Sequence, residues 1–381
     1  MIMADLENRV ENQAEEIQEA APADALAAAI AEAKEAKEAA DAAKGQGEAP
    51  ATAAPKNAEE EARLNETRRE MMEKLGIDAI QLALIEQVAD LHKIPSGAFN
   101  FRVNGAAAGR SSSEHIEIRP KEDKPGIDII IKAGTKHESV HIPVVLSQTG
   151  LKDLVYNDFF IEDDCDVLIV AGCGIHNDGT KTSSHDGIHA FHIGKNSKVK
   201  YVEKHYGKGD GKGEKIMNPT TIIEIGENSY MEMETVQIKG IDNTKRVTKA
   251  KVADNGHLVI HESLMTHGTQ YAETDFSVDL DGADSSAHVV SRAVAKENSR
   301  QLFLASVQGN NRCAGRTECD AIIMDHAVVT SKPEIVANDI DASLVHEAAI
   351  GRIAGEQLMK LMTLGLTEAQ AEEEIVNGFL K

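Results

Sequence analysis

"IHAFHIGKNSKVKYVEKHY", residues 188–206, and "TTIIEIGENSYMEMETVQI", residues 220–238, decide the fold of this chain. Each is a strand-like run, a corner containing Asn-Ser, and a second strand-like run. The runs are rich in β-branched residues and alternate in polarity, as strands with one buried face do. The corner chemistry recurs as "GKNSK" at 194–198, "GENSY" at 226–230, "DNGH" at 254–257, "DGADSS" at 281–286 and "KENSR" at 296–300. Asn196 and Asn228 are 32 residues apart, and Asn228 and Asn255 are 27 apart. A period of that size, one to two strands per unit, predicts a stacked β-solenoid. Asn and Gly suit the left-handed backbone that its corners require. A β-sandwich is the rival, since it also yields many short strands. An aromatic content of 3% with no Trp demands an aliphatic core and favours the solenoid.

Working outward, "GIDIIIKAG", "VHIPVVL", "CDVLIVAG", "HLVIHESL", "AHVVSRAVA" and "QLFLASVQG" extend the strand pattern over residues 116–345. Residues 1–60 are Ala, Glu and Lys with little else, and read as a solvated helical or disordered arm ending in a "GQGEAPATAAP" linker. Residues 61–115 read as an N-terminal helical segment, with Leu75, Ile77, Ile80, Leu82, Leu84, Ile85 and Val88 as its apolar stripe. Residues 346–381 read as two short helices. Thr367 and Gln370 have capping-box spacing at the start of the second.

The chain has 381 residues, 41% of them hydrophobic, and a formal charge of −23. That charge argues against nucleic acid and anionic membranes as partners. No apolar run approaches the ~20 residues that a spanning helix needs. The start "MIMADLENRVENQ" lacks the basic and apolar regions of a signal peptide. Four cysteines do not make a disulfide framework, so the expectation is a cytoplasmic protein with reduced thiols.

Two clusters could carry chemistry. Residues 165–205 hold Cys165, Cys173, His176, His185, His189, His192 and His205, soft and borderline ligands for zinc or iron, although not at zinc-finger spacing. His189 and His192, three apart on a strand, must face opposite sides. The second cluster is Cys313 and Cys319, followed by His346 and Glu347. The latter two are strand neighbours, so only one shares the face of Cys319. Glu347 in "LVHEAAI" is a poor strand residue. It is either exposed at an edge or held by a metal or a cation.

"HEAAIGRIAGEQLMKLMTLGLTEAQAEEEIVNGFL" resembles the C-terminal signature of the SufB/SufD iron–sulfur cluster assembly scaffolds. "TECDAIIMDHAVVTSKPEIVANDID" and "IVAGCGIHNDGTKTSSHDGIHAFHIGKNSKVKY" resemble earlier stretches of that family, so that the likeness covers about residues 125–381. The resemblance implies a right-handed parallel β-helix with helical ends. It implies that Cys319 and Glu347 bind metal during cluster assembly, that His346 assists them, and that Cys173 receives sulfur. It implies a transient iron–sulfur cluster, of the [4Fe-4S] type, formed where two cores join edge to edge. The C-terminal helices would dock a SufC-like ABC ATPase, with Leu358, Met359, Leu361, Met362 and Leu366 as the contact. A sulfur donor and acceptor apoproteins complete the expected partners. The SufD-type cysteine two residues before His346 is Leu344 here, and the family's Trp is missing. Those departures point to a compact form pairing with itself rather than with a SufD-like paralogue.

Three functions compete at this stage. The first is a non-enzymatic assembly scaffold served by a partner ATPase. The second is a zinc or iron enzyme built on the 176–205 histidines. The third is a structural solenoid that only gathers partners.

Overall fold

A computed structural model describes residues 58–380. Helices α1 (Ala58–Leu75) and α2 (Ala79–Ala89) come first. The expected single helical stripe is broken at Gly76, which takes φ 63°. Asp78 then caps α2 in a reciprocal capping box with Gln81.

The strands follow in chain order. They are β1 (Ala98–Val103), β2 (Ala106–Ser111), β3 (Ile116–Pro120), β4 (Gly126–Ile131), β5 (Lys136–Leu146), β6 (Lys152–Ile161), β7 (Asp166–His176), β8 (Ser183–Ile193), β9 (Lys198–Lys208) and β10 (Lys215–Met217). Next are β11 (Thr220–Ile225), β12 (Tyr230–Lys239), β13 (Asn243–Val252), β14 (His257–Thr266), β15 (Tyr271–Leu280), β16 (Ser285–Ala295), β17 (Arg300–Gly309), β18 (Cys313–Ile323), β19 (Val328–Ala337) and β20 (Ala342–Gly351). Helices α3 (Gly355–Thr363) and α4 (Glu368–Leu380) close the chain.

The strands form two sheets. One runs β2-β1-β5-β7-β9-β12-β14-β16-β18-β20, the other β19-β17-β15-β13-β10-β8-β6-β4-β3, with β11 between β8 and β13. Apart from the antiparallel pairs β1–β2 and β3–β4, neighbours are parallel, and most pair with the next strand but one, the exceptions being β1–β5, β8–β11, β9–β12 and β10–β13. This is a β-solenoid of about 8 turns, with 56% of residues in strands. Parallel rungs exclude the sandwich, whose sheets are antiparallel. Two segment boundaries move. Strands begin at Ala98, inside the stretch expected to be helical, and β20 continues to Gly351, beyond the expected end of the β region. Both segments are edge elements with weak alternation, which hid them. The 1–57 part of the expected arm lies outside the described residues.

The corners explain the repeat. Asp164, Asn196, Asn228, Asn255 and Asp284 all have φ between 52° and 60°. Asn and Asp tolerate this left-handed conformation because their short side chains bond locally. In "KENSR" the left-handed residue is Glu297, not Asn298. The residue after each corner also stacks. Ser229 Oγ accepts from the Ser197 amide at 2.9 Å, and Ser197 Oγ from the Cys165 amide at 3.0 Å.

Inside, Ile129, Ile169, Val199, Ile260 and Val289 are fully buried. Burying each such side chain contributes about 1.5–3 kcal/mol. Phe159 stacks on Phe191 with centroids 4.3 Å apart. Helix α2 lies against β7, where a Cβ on Gly172 would collide with the Val88 backbone and one on Gly174 would press on Leu84. The glycines beside Cys173 are therefore where the helix meets the sheet. At the far end α4 packs on β16, burying Ala371 and Val376, while no residue of α3 is buried.

The corner geometry predicts that Asn228→Val lowers stability by about 1–2 kcal/mol while Asn228→Gly is nearly neutral. Urea unfolding midpoints of the two variants check this.

Candidate functional site

Parallel, in-register pairing places side chains of successive turns in columns. Following the register from Glu203, the inward column is Glu203, Thr235, Glu262, Ser291 and Cys319. Next to it runs Arg102, Val144, Cys173, His205 and Gln237. Asp153 pairs with His185, and Arg246 with Thr274, on the facing sheet. The interior is thus aliphatic along most of its width but carries one polar file.

The file is linked by hydrogen bonds and ion pairs. Arg102 Nη2 donates to Asp153 at 2.6 Å, and Asp153 Oδ2 lies 3.0 Å from His185 Nδ1. The Cys173 thiol lies beside the imidazoles of His185 and His205, with His185 Nε2 buried and without a hydrogen-bond partner. His205 Nε2 is 3.6 Å from Glu203, whose other oxygen accepts from Arg246 Nη1 at 2.6 Å. Arg246 Nε reaches Glu262 at 3.8 Å. Glu262 accepts from Thr274 at 2.9 Å and from Ser291 at 2.7 Å, and Ser291 is the register neighbour of Cys319. Asp153, His185, Glu203, His205, Arg246 and Glu262 are all buried. Each buried charge therefore meets an opposite charge, as burial demands.

The two cysteines on this file differ in acidity. Burial pushes the Cys173 thiol up, but the adjoining imidazoles of His185 and His205 outweigh it and bring it down to about 7. Burial likewise opposes charge on the two histidines. Cys173 and Asp153 nevertheless raise His185 to about 10, and Glu203 and Cys173 raise His205 to about 9. A thiolate–imidazolium cluster results near neutral pH. Burial pushes Cys319 up to about 11, only partly offset by the nearby Ser331 hydroxyl and helped by the Glu262 carboxylate. His189, held neutral by burial with a pKa of about 4, bonds Tyr201 at 2.8 Å, and Tyr201 in turn donates to Glu203 at 3.0 Å.

The expected site residues separate accordingly. Cys173, His185, His189 and His205 face inward. His192 faces out, stacked on Phe160 with centroids 5.2 Å apart, and His176 pairs with Asp178 at 2.8 Å. His189 and His192 thus take opposite faces. Among the described residues no group of three or more His, Cys, Asp or Glu is arranged to hold a metal ion. Cys165 and Cys313 occupy the corner column of Ser197, Ser229 and Ser285, where Cys165 Sγ lies 3.3 Å from the Lys132 carbonyl. They do structural work there.

His346 is the strand neighbour that shares the inward face with Cys319. It pairs in register with Thr317, whose hydroxyl is 2.6 Å from His346 Nδ1, and its Nε2 is buried without a partner. Glu347 points the other way, exposed on the outer face and 2.6 Å from Arg316. The expected metal pair of Cys319 and Glu347 is therefore not brought together within one chain, because their register partners alternate through the sheet. Leu358, Leu361 and Leu366 are partly exposed on or after α3, and Met359 and Met362 are 65% and 43% exposed.

Asp153, Glu203, Arg246 and Glu262 escaped the sequence reading. A signal was present. Glu203, Thr235, Glu262 and Ser291 each stand seven residues after a left-handed corner, at Asn196, Asn228, Asn255 and Asp284. The corner period, applied to Glu203, lands on every member of the column except Cys319.

Two outcomes follow from this geometry. Absorbance at 240 nm, taken as wild type minus Cys173→Ser, should show a thiolate step near pH 7. A first step above pH 8.5 would refute the imidazolium pairing. Arg246→Met leaves Glu203 and Glu262 buried without their cation and should cost about 3–5 kcal/mol in denaturant unfolding. Adding Glu203→Gln should recover part of that loss.

Residues 159–379 match the family described as "SUF system FeS cluster assembly, SufBD core domain". An iron–sulfur cluster assembly SufBD family protein of Methanocaldococcus jannaschii is 27% identical over 269 residues, covering 70% of this chain and 84% of that protein. One of Pyrococcus horikoshii is 29% identical over 278 residues, covering 71% and 83%. The iron–sulfur cluster assembly protein SufB of Bacillus subtilis is 32% identical over 104 residues, covering 26% of this chain and 22% of that one. With more than half its length inside that match, Cys173, Cys319, His346 and Glu347 included, this chain belongs to the SufBD core domain family of iron–sulfur cluster assembly proteins.

Proposed function

We propose that the chain is a non-catalytic scaffold on which iron–sulfur clusters are assembled and then passed to acceptor apoproteins. The observation that carries this reading is the buried polar file joining Cys173, an acidic thiol, to Cys319 near the open end of the solenoid. Cys173 as a thiolate would attack the outer sulfur of a donor persulfide. A new S–S bond forms on Cys173, and the donor leaves as a thiolate. The file would offer a sulfur anion hydrogen-bonding partners that the aliphatic core lacks.

Iron and sulfide are substrates here. Cys319 and His346 face inward at the last turns, and Glu347 stands on the outer edge. Strands β19 and β20 end their sheets with unpaired edges. Such edges invite a second chain. A second copy, or a SufD-like paralogue, seated there would cover Cys319 and bring Glu347 into the junction. Mixed thiolate, imidazole and carboxylate ligation suits a [4Fe-4S] cluster that must be released.

Helix α3 carries Met359 and Met362 exposed, with no covering element among the described residues, and Leu364 is 76% exposed just after it. Methionine-rich exposed faces adapt to a partner. We assign this face to a SufC-like ABC ATPase, which would supply ATP hydrolysis.

Anaerobic reconstitution with iron and sulfide tests the scaffold. Wild type should gain a sulfur-to-iron charge-transfer band, and Cys319→Ala should lose most of it. Full band intensity and apoprotein maturation in Cys319→Ala would sink the assignment. Met359→Asp with Met362→Asp, both on an exposed face, should abolish co-purification of the ATPase while leaving the unfolding midpoint unchanged.

A further inference from the structure

The buried file has one gap in its middle. Arg246 Nη1 donates to Glu203 at 2.6 Å, but Arg246 Nε stands 3.8 Å from Glu262, beyond hydrogen-bond length. Both side chains are buried. Glu262 accepts from Thr274 and Ser291, and neither bond closes the gap.

A small cavity lies there. It measures about 10 Å³, and Thr235, Gln237, Thr244, Arg246, Glu262 and Thr274 are among its walls. Strands β12 and β14 supply one side and β13 and β15 the other, so the cavity stands between the two sheets. That volume is at the lower limit for one water molecule.

Thr235 is the telling wall residue. It is the register neighbour of Glu203 on one side and of Glu262 on the other. Its hydroxyl is buried with no hydrogen-bond partner in the protein. By contrast, the Thr244 hydroxyl donates to the Met217 carbonyl and that of Thr274 to Glu262. A buried hydroxyl left unbonded costs stability, and a valine of the same shape would avoid that cost.

We propose that this cavity is a binding site for a single water molecule. The water accepts from Arg246 Nε, donates to Glu262 and shares a hydrogen bond with Thr235, three partners being usual for buried water. The walls select this ligand. A cation would meet the Arg246 guanidinium, an anion would meet the Glu262 carboxylate, and an apolar atom would leave Thr235 unbonded. The water joins the half of the file that holds Cys173 to the half that reaches Cys319, because Arg246 bonds Glu203 directly and meets Glu262 only across this gap. The site depends on none of the roles proposed above.

Two measurements on the full-length chain test it. In a crystal structure that shows ordered water, a density peak should stand within hydrogen-bond distance of Thr235 Oγ, Arg246 Nε and Glu262. An empty cavity, or Arg246 Nε in direct contact with Glu262, overturns the site. Urea unfolding of Thr235→Val supplies the sign of the effect. This substitution takes a partner from the water, so the midpoint should fall by about 0.3 M, the equivalent of one hydrogen bond. Thr221→Val and Thr248→Val are the controls, since these hydroxyls are also buried without a partner but do not line this cavity. Removing an unbonded hydroxyl relieves its cost, so the control midpoints should hold or rise. All three positions are on strands, so the higher strand preference of valine cancels in the comparison. A Thr235→Val midpoint no lower than those of the controls overturns the bond to Thr235 and with it the site.

Discussion

In-register parallel stacking is the constraint on which everything else in this molecule depends. Each rung donates its hydrogen bonds to the next, so a residue's inward or outward direction is inherited by the whole column. A slip of one residue would turn every side chain to the opposite face. The left-handed corners prevent that slip, and they do so with residues that tolerate positive φ at little cost. Turns of unequal length are accommodated elsewhere. The extra residues lie at the other corner, where Gly207 and Gly240 approach backbone to backbone and the register of β9 and β12 shifts. The working column is spared.

Against that background the buried charges are costly features. An all-aliphatic interior of the same shape would serve stability at least as well, since ion pairs gain little over well-packed apolar groups once desolvation is counted. Glu203, Arg246 and Glu262 nevertheless run through the middle of the solenoid, mutually paired. Their effect is to give the two cysteines opposite chemistry. Cys173 lies among imidazoles that stabilise its thiolate, whereas Cys319 lies beside Glu262, which opposes ionisation. The first is suited to nucleophilic attack. The second stays protonated at neutral pH.

The two ends of the solenoid are as unlike as the two thiols. At the N-terminal end antiparallel hairpins adjoin the stack and α2 lies on the flank of β5, β7 and β9, and this region lies largely before residue 159, where the family match begins. At the C-terminal end β19 and β20 leave their sheet edges and much of their inner surface uncovered among the described residues. Solenoids need a cap at each end to remain soluble. Under the proposed function, a second subunit completing this cap would couple assembly of the protein to assembly of its site.

From residue order alone, the corners at Asn196, Asn228 and Asn255 favoured a stacked β body over its rival, the sandwich, because left-handed Asn and Gly at that period suit the corners of stacked coils. The "HEAAIGRI" and "CDAIIMD" stretches likewise pointed to the family through local pattern. Alternation also required His346 and Glu347 to part, and His189 and His192 to do the same. What local pattern could not supply was which member of each pair turned inward. That depends on the strands alongside, whose register is set by contacts between residues about thirty positions apart. Only the tertiary structure decided that Glu347 faces Arg316 instead of Cys319, and that Cys165 and Cys313 replace corner serines. It alone decided that Asp153, Glu203, Arg246 and Glu262 meet in one buried file, since a charged residue in a strand looks exposed until the opposite sheet closes over it.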